Sequence, residues 1–226
     1  MKFLLIGCNG KMGSQIIDAL KDNDSDKIVA GIDLNLKSKS RNFPVYNDIH
    51  NITEEVDGII DFSTCENRKE YIIFAQNKKL PYGCFSTICS DADKDLFHKL
   101  AKTSPVLLCK NTSLGVNTLY KLVEIASKSL PKADVVLTEY HHKAKFDSPS
   151  GTAKNIEQIF TLNNINFTTS AFRVGNEKGT HVIQFFLEDE ILEISHRSKS
   201  RKIFALGAIS LMHKLIEKEN DMYYEL

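Results

Sequence analysis

The sequence has no excess of charge of either sign. Among its 226 residues, Lys and Arg together number 29, and Asp and Glu also number 29. This balance leaves no net field to attract nucleic acid or an anionic membrane, so we expect neither as a partner. Two local basic clusters, at 37–41 and 197–202, are typical of solvated surfaces, although either could hold an anionic group of a small ligand.

The chain also lacks a long apolar run. Its first residues, MKFLLIGC, look like a lipoprotein cleavage box, but the apolar stretch stops at Gly7. A membrane span requires about 18 consecutive apolar residues, and a signal peptide requires a longer apolar core than this. We therefore expect a cytoplasmic protein that does not enter membranes.

Cysteines with metal-binding or redox spacing are missing. The five cysteines are Cys8, Cys65, Cys84, Cys89 and Cys109. Even Cys84 and Cys89 are too far apart for a Cys-x-x-Cys pair, and no second pair completes a metal site. The pattern predicts buried, reduced thiols and no metal.

The first half of the chain alternates short apolar runs with amphipathic segments, which is the pattern of a parallel sheet with crossover helices. The predicted strands are KFLLIG, KIVAGID, VDGIIDFS, YGCFST and PVLLCKN. The predicted helices cover 12–21, 66–78, 91–102 and the segment GVNTLYKLVEIASKSL. The first and the last of these helices place apolar residues on one face at helical spacing.

After Pro131 the chain becomes rich in strands. The predicted strands are ADVVLTEYHH, TTSAFRVG, GTHVIQFFLED and EILEISHRS, with one short helix beginning near Gly151. The tight connection at Glu188 and Asp189 indicates a mixed or antiparallel sheet. A closing helix follows in SRKIFALGAISLMHKLIEKE.

A glycine-rich turn lies between the first strand and the first helix, in LLIGCNGKMGSQI. Glycines 7, 10 and 13 allow the backbone to turn tightly and approach a pyrophosphate at the helix N-terminus, although Cys8 replaces the first glycine of the strict template. Asp33, twenty residues beyond Gly13, can hydrogen-bond an adenosine ribose, and its charge would repel a 2′-phosphate. This favours NADH modestly over NADPH. A glycine-rich turn without a ligand remains the alternative.

The stretch EYHHKAKFDSPSGTA concentrates groups that could handle protons and anions. His141 and His142 point to opposite faces of a strand, which disfavours one shared metal ion. Ser150 lacks the G-x-S-x-G elbow of a nucleophile. The PSGT turn offers hydroxyls and N–H groups to a carboxylate, and a strand extending to Lys145 would place Lys145 on the face of His141. The alternative is ordinary strand histidines, with Ser150 or Thr152 only an N-cap.

This stretch resembles the E-x-H-H-x-x-K-x-D-A-P-S-G-T-A signature of dihydrodipicolinate reductases (4-hydroxy-tetrahydrodipicolinate reductases). Other segments that are similar to the family are IGCNGKMG, GIIDFS, NTSLGVN, RVGNEKGTHVIQF and ISHRSKSRKIFALGA. The resemblance covers nearly the whole chain. It implies an α/β fold: a Rossmann-like parallel-sheet domain at 1–112 and 202–226, interrupted at 113–201 by an inserted α+β domain with a mixed sheet for substrate binding and oligomerisation.

The resemblance also implies a reaction, its residues and a homotetramer. Hydride from NADH or NADPH would reduce 4-hydroxy-tetrahydrodipicolinate, a dicarboxylate, in lysine biosynthesis via diaminopimelate. His141 would be the proton donor/acceptor and Lys145 the proton donor. Substrate would be bound by His142, Ser150, Gly151 and Thr152. The implied cofactor-binding residues are Gly7, Cys8, Asn9, Gly10, Lys11, Met12, Asp33, Phe85, Ser86, Thr87, Cys109, Lys110, Asn111 and Thr112.

The chain departs from the family pattern at several positions. Phe85-Ser86-Thr87-Ile88 stands where the family has Gly-Thr-Thr-Gly, and these lost glycines suggest the alternative of a non-catalytic dinucleotide-sensing relative. Arg173 and the segment 196–202 are further anion candidates. A semialdehyde dehydrogenase would need a nucleophilic cysteine in the second domain, whereas all five cysteines lie at or before residue 109.

Overall fold

A computed structural model describes residues 1–36, 41–64, 67–86 and 90–225. The chain divides into two compact units, Met1–Ser113 with Lys202–Leu226, and Leu114–Arg201. No helix within the described ranges is long and apolar enough to span a bilayer.

The described residues form eleven strands, six α-helices and one 3₁₀ helix at Ile49–Asn51. The strands are β1 (Lys2–Ile6), β2 (Lys27–Ile32), β3 (Val45–Tyr46), β4 (Gly58–Asp61), β5 (Tyr82–Cys84), β6 (Val106–Cys109), β7 (Asp134–His141), β8 (Phe167–Arg173), β9 (Thr180–Phe186), β10 (Ile191–Arg197) and β11 (Met222–Glu225). The helices are α1 (Lys11–Leu20), α2 (Arg68–Lys78), α3 (Asp91–Leu100), α4 (Leu114–Ser129), α5 (Gly151–Leu162) and α6 (Lys202–Ile216).

The first unit is built on a parallel sheet of seven strands in the order β11-β6-β5-β4-β1-β2-β3. The chain winds outward from β1 to β3 and then returns to β4, so the strand order reverses between β1 and β4. Ile6 and Asp61 are register partners at the carboxyl ends of these two strands. In open α/β sheets, ligands bind at such a reversal point.

Side chains of β1 alternate between two apolar cores, one on each face of the sheet. Leu4 and Ile6 pack with helices α2 and α3, whereas Phe3 and Leu5 pack with helices α1 and α6. All four side chains are fully buried, as expected for a parallel strand covered on both faces. The predicted Rossmann-like sheet is therefore confirmed.

The second unit is a four-stranded sheet in the order β10-β9-β7-β8, with β7 parallel to β8 and the other pairs antiparallel. Helix α5 makes the crossover between the parallel strands, and α4 and α5 cover one face. The Leu187 N–H donates to the Glu190 carbonyl in the tight β9–β10 connection. The predicted mixed sheet is confirmed.

Several predicted details are wrong. Strand β7 ends at His141, so Lys145 does not share a strand face with His141; the Lys145 N–H instead donates to the His142 carbonyl in a turn. Strands β3 and β11 were not predicted, because β3 has only two residues and β11 follows the closing helix. The predicted cofactor residue Thr87 lies outside the described residues.

Candidate active site

The glycine-rich turn follows β1 at the reversal point. A side chain on Gly13 would place its Cβ 2.3 Å from the Gly7 carbonyl oxygen, so only glycine lets α1 begin this close to the turn. Gly7 itself has a φ of +79°. Helix α1 starts at Lys11 with Gly10 as N-cap, and no side chain there accepts a hydrogen bond from the first turn. The helix N-terminus is therefore suited to an anion.

Asp33 lies just after β2 and holds this turn in place. Its Oδ2 accepts a hydrogen bond from the Asn9 N–H at 2.9 Å, and its Oδ1 accepts one from the Asn35 N–H at 3.0 Å. Asp33, Gly7 and Gly10 line one cavity of about 210 Å³. The structure thus brings together three residues that the sequence predicts to contact an adenosine and its pyrophosphate.

A second cavity of about 340 Å³ shares Phe62, Ser63 and Thr64 with the first. Five of the predicted cofactor residues line it: Met12, Phe85, Ser86, Lys110 and Thr112. The two cavities therefore adjoin along the carboxyl edge of the parallel sheet, and we call them together the β1–β4 crevice.

Not every predicted cofactor residue presents its side chain there. The side chains of Cys8 and Cys109 are buried, and burial together with the charge of Asp33 raises the pKa of the Cys8 thiol to about 12. Asn9 is partly buried, with its Nδ2 donating to the Asn35 carbonyl, and Lys11 is exposed. The Cys8 backbone is also engaged, because its N–H donates to the Ile32 carbonyl and its own carbonyl accepts from Arg41 Nη2.

An ionic cluster beside the crevice was not predicted from the sequence. Arg68 is fully buried; its Nε donates to Asp61 at 3.3 Å and its Nη1 to Asp93 at 3.0 Å. Its Nη2 donates to the Ser63 carbonyl, and the Tyr82 hydroxyl donates to Asp61. Arg68 thereby joins the loop after β4 to helix α3. The sequence signal for this cluster was the acidic residue Asp61 at the end of the buried strand in GIIDFS, which requires a partner.

A second polar cluster lies in the other unit, around the buried carboxylate of Glu139 on β7. The Arg173 Nη2 donates to Glu139 Oε1 at 3.0 Å, and the Ser150 N–H donates to both carboxylate oxygens. His181 Nε2 lies 3.5 Å and His141 Nδ1 lies 3.7 Å from Glu139 Oε2. We call these five residues the Glu139 cluster.

The environment of this cluster lowers the pKa values of both Glu139 and His141. Burial would raise the pKa of Glu139, but hydrogen bonds from His181, Ser150 and Arg173 outweigh it and lower the pKa to about 2. Burial lowers the pKa of His141 to about 4, against the opposing attraction of Glu139. His141 is therefore a neutral imidazole near pH 7, beside a carboxylate that is fully ionised.

The PSGT turn begins helix α5. Ser150 is the N-cap, with its Oγ accepting from the Ala153 N–H and lying 3.2 Å from His181 Nε2. Its side chain is buried, and its hydroxyl is engaged in these two contacts. Gly151 is exposed, and a Cβ there would meet nothing within 4 Å. His142 and Thr152 are partly buried.

Lys145 reaches the same helix N-terminus through Asp147. Its Nζ donates to Asp147 Oδ1 at 2.7 Å. Burial would raise the pKa of the Asp147 carboxyl, but hydrogen bonds from Lys145 and the Gly151 backbone lower it. Arg173, a predicted anion candidate, instead pairs with Glu139 and donates to the Asp147 carbonyl.

The sequence pattern favoured a metal site neither at the cysteines nor at the pair His141 and His142. The structure instead brings ligand atoms of Glu139, His141 and His181 within 4.8 Å of one another. Arg173 and Ser150 already donate to Glu139, and the guanidinium charge opposes a second cation there. We therefore assign this cluster no metal. His181 itself was missed, although RVGNEKGTHVIQF contains it.

The fold and the β1–β4 crevice are those of a dinucleotide-dependent oxidoreductase. Two family models match the chain, "Dihydrodipicolinate reductase, N-terminus" over residues 1–112 and "Dihydrodipicolinate reductase, C-terminus" over residues 115–226. The chain therefore belongs to the dihydrodipicolinate reductase family, whose members are NAD(P)H-dependent oxidoreductases. The family resemblance predicted from the motifs is confirmed.

Individual relatives match along the same length. The 4-hydroxy-tetrahydrodipicolinate reductase of Clostridium tetani is 35% identical over 246 residues, covering 99% of this chain and 94% of that protein. The Zymomonas mobilis enzyme of the same name is 34% identical over 245 residues, covering 99% and 94%. A dipicolinate-bound dihydrodipicolinate reductase from Paenisporosarcina sp. TG-14 has the same fold, with a TM-score of 0.85 at 19% identity, covering 100% and 98%.

Proposed function

We propose that this chain reduces 4-hydroxy-tetrahydrodipicolinate to tetrahydrodipicolinate with NADH or NADPH, in lysine biosynthesis via diaminopimelate. The observation that carries the proposal is the Glu139 cluster with its surroundings. The buried His141 imidazole lies at the end of β7, next to the turn that carries Lys145 and leads to the N-terminus of α5 at Gly151. A dicarboxylate imine requires cationic and N–H donors for its charge and a proton source for its reduction.

The proposed roles follow from the charges. Lys145 and the N–H groups at the start of α5 bind a substrate carboxylate, and Lys145 donates a proton. His141 is neutral in the ligand-free protein, because burial lowers its pKa to about 4. A doubly negative substrate beside it would raise that pKa, so the substrate itself promotes protonation of His141. NAD(P)H supplies the hydride when bound.

The cofactor is held, in this proposal, by the unit that contains the β1–β4 crevice, and the substrate by the unit that contains the Glu139 cluster. The boundaries of the two units are 1–112 with 202–226 for the first and 113–201 for the second.

The preference for NADH is modest. Asp33 disfavours a 2′-phosphate, but Arg41, whose Nη2 donates to the Cys8 carbonyl at 3.2 Å, brings a cation to the same turn. An Arg41→Ala variant should lose kcat/KM with NADPH more than with NADH.

Homotetramer formation is also proposed, through the sheet face of the second unit that α4 and α5 leave uncovered. Tyr140 and Phe172 stack there with ring centroids 5.3 Å apart, and Phe186 and Ile191 are register partners with exposed side chains. An exposed apolar face of this kind favours association with further copies. Sedimentation equilibrium tests it, and a monomer at micromolar concentration would contradict it. We also propose a cytoplasmic location for the protein.

One assay tests the activity. NADH and NADPH oxidation are followed with the freshly formed condensation product of aspartate semialdehyde and pyruvate. His141→Ala should lose most turnover, whereas His98→Ala, which removes an exposed histidine of α3, should not. Folded wild-type protein that binds NADH without turnover would instead support the non-catalytic sensing alternative.

A further inference from the structure

Glu139 has no role in the proposed chemistry, yet its buried carboxylate is the centre of the Glu139 cluster. Its carboxylate is fully buried and receives hydrogen bonds from Arg173 on β8 and from the Ser150 N–H at the start of α5. His181, its register partner on β9, approaches it from the other side. One side chain thus connects three neighbouring segments to β7.

The sheet does not need this carboxylate for its packing. Val135 and Leu137 precede Glu139 on the same face of β7 and join the apolar core with Ile183 and Phe185. Glu139 comes next in the alternation, where the core gives way to polar groups, and His141 follows two residues later. A buried charge is costly compared with an apolar side chain, so a role in folding alone is a poor explanation for it.

Its partners lie next to the groups that the proposed function uses. The Ser150 N–H fixes the turn whose next residues, Gly151 and Thr152, begin α5. Ser150 Oγ in turn contacts His181 Nε2 at 3.2 Å, and the rings of His181 and His141 lie edge to face with centroids 5.3 Å apart. A change at Glu139 would therefore alter the positions of the turn and of the His141 imidazole together.

We propose that Glu139 is a positioning residue, which holds the Ser150–Thr152 turn and, with His181, the His141 imidazole in the arrangement that receives a dicarboxylate. This inference rests on the proposed function. Glu139 does not contact the substrate; it acts through Ser150 and His181. Its ionised state also balances the charge of the half-buried Arg173 guanidinium, which would otherwise lose its partner carboxylate.

The test measures binding of pyridine-2,6-dicarboxylate (dipicolinate) to the NADH-loaded enzyme by calorimetry. Glu139→Gln should weaken dipicolinate binding by about tenfold or more, the usual cost of losing a hydrogen bond to a charged group. It should lower kcat as well, while the Kd of NADH stays unchanged. Glu139→Ala should be worse than Glu139→Gln, because glutamine still offers an oxygen to the Ser150 N–H.

Leu137→Ala is the matched control, two residues away on the same face and fully buried. It should reduce thermal stability while leaving the Kd of dipicolinate within about twofold, because it opens a cavity outside the polar cluster. If Glu139→Gln does not fold, His181→Gln supplies the same comparison from the other partner. Variants that bind dipicolinate as the wild type does, or a Leu137→Ala loss of equal size, would overturn the inference alone. A wild type that binds no dipicolinate would overturn the proposed function too.

Discussion

Acid should destabilise the second unit through His141, at a pH where the carboxylates are still ionised. His141 is 8% exposed, and burial lowers its pKa from the ordinary 6.5 to about 4, with Glu139 opposing and His181, Lys145 and Arg173 reinforcing the shift. Between these two values the unfolded chain binds a proton that the folded chain does not. Stability therefore falls as the pH is lowered through this interval.

The size of the effect follows from the two pKa values. The full difference corresponds to about 3 kcal/mol of unfolding free energy, all of it lost below pH 4. Lowering the pH from 7.5 to 5 should remove about 2 kcal/mol of this. Glu139 does not confuse the measurement, because its contribution is lost only as the pH falls from 4.5 towards about 2.

The measurement is hydrogen exchange of the β7 peptide in the wild type, in His141→Asn and in His98→Asn, at pH 7.5 and pH 5 and corrected for intrinsic exchange. The wild type should lose about 2 kcal/mol of protection that His141→Asn keeps. Imidazole NMR titration of the ligand-free protein should place the pKa of His141 near 4. The reasoning fails if that pKa is 6.5 or higher, or if His141→Asn and His98→Asn lose protection equally.

Three further predictions concern separate parts of the molecule. Arg68→Met should lower the free energy of unfolding by about 3–5 kcal/mol in urea, because it leaves two buried carboxylates without their cation; a loss below about 1 kcal/mol would contradict this. Asp147→Asn should tighten dipicolinate binding, because it frees Lys145 from a competing carboxylate; weaker binding would show that Asp147 instead orients Lys145. Gly207→Ala should lower the Tm, although alanine usually stabilises a helix, because the new Cβ would lie 1.6 Å from the Thr112 carbonyl oxygen; an unchanged Tm would refute the clash.

The sequence predicted most of the fold because apolar periodicity is a local property. Buried parallel strands such as KFLLIG are continuous apolar runs. The spacing of the glycines indicates the position of the turn between strand and helix. Strand β11 was not predicted because MYYE has the length and composition of many irregular segments. Only its pairing with β6, more than a hundred residues earlier, makes it a strand.

The predicted site was less complete, because its supporting contacts join residues distant in the chain. Glu139, Arg173 and His181 lie on three different strands, and no spacing rule predicts that β7 sits between β8 and β9. The motif EYHHKAKFDSPSGTA predicted His141 and Lys145 as site residues, but not the side chains that surround them. The end of β7 at His141 could not be predicted either, since polar residues continue at every second position through Lys143 to Lys145.

The departure from glycine at Phe85 shows how a substitution in a cofactor loop can be accommodated from a distance. The Phe85 side chain is 4% exposed and packs with Phe62 at a centroid distance of 5.3 Å. A Cβ on Gly83 would lie 2.7 Å from the Phe85 ring, so the glycine two residues earlier provides the space for that ring. The bulk of Phe85 therefore enters the core below the β1–β4 crevice, and the lost glycine at this position is weak support for a non-catalytic protein.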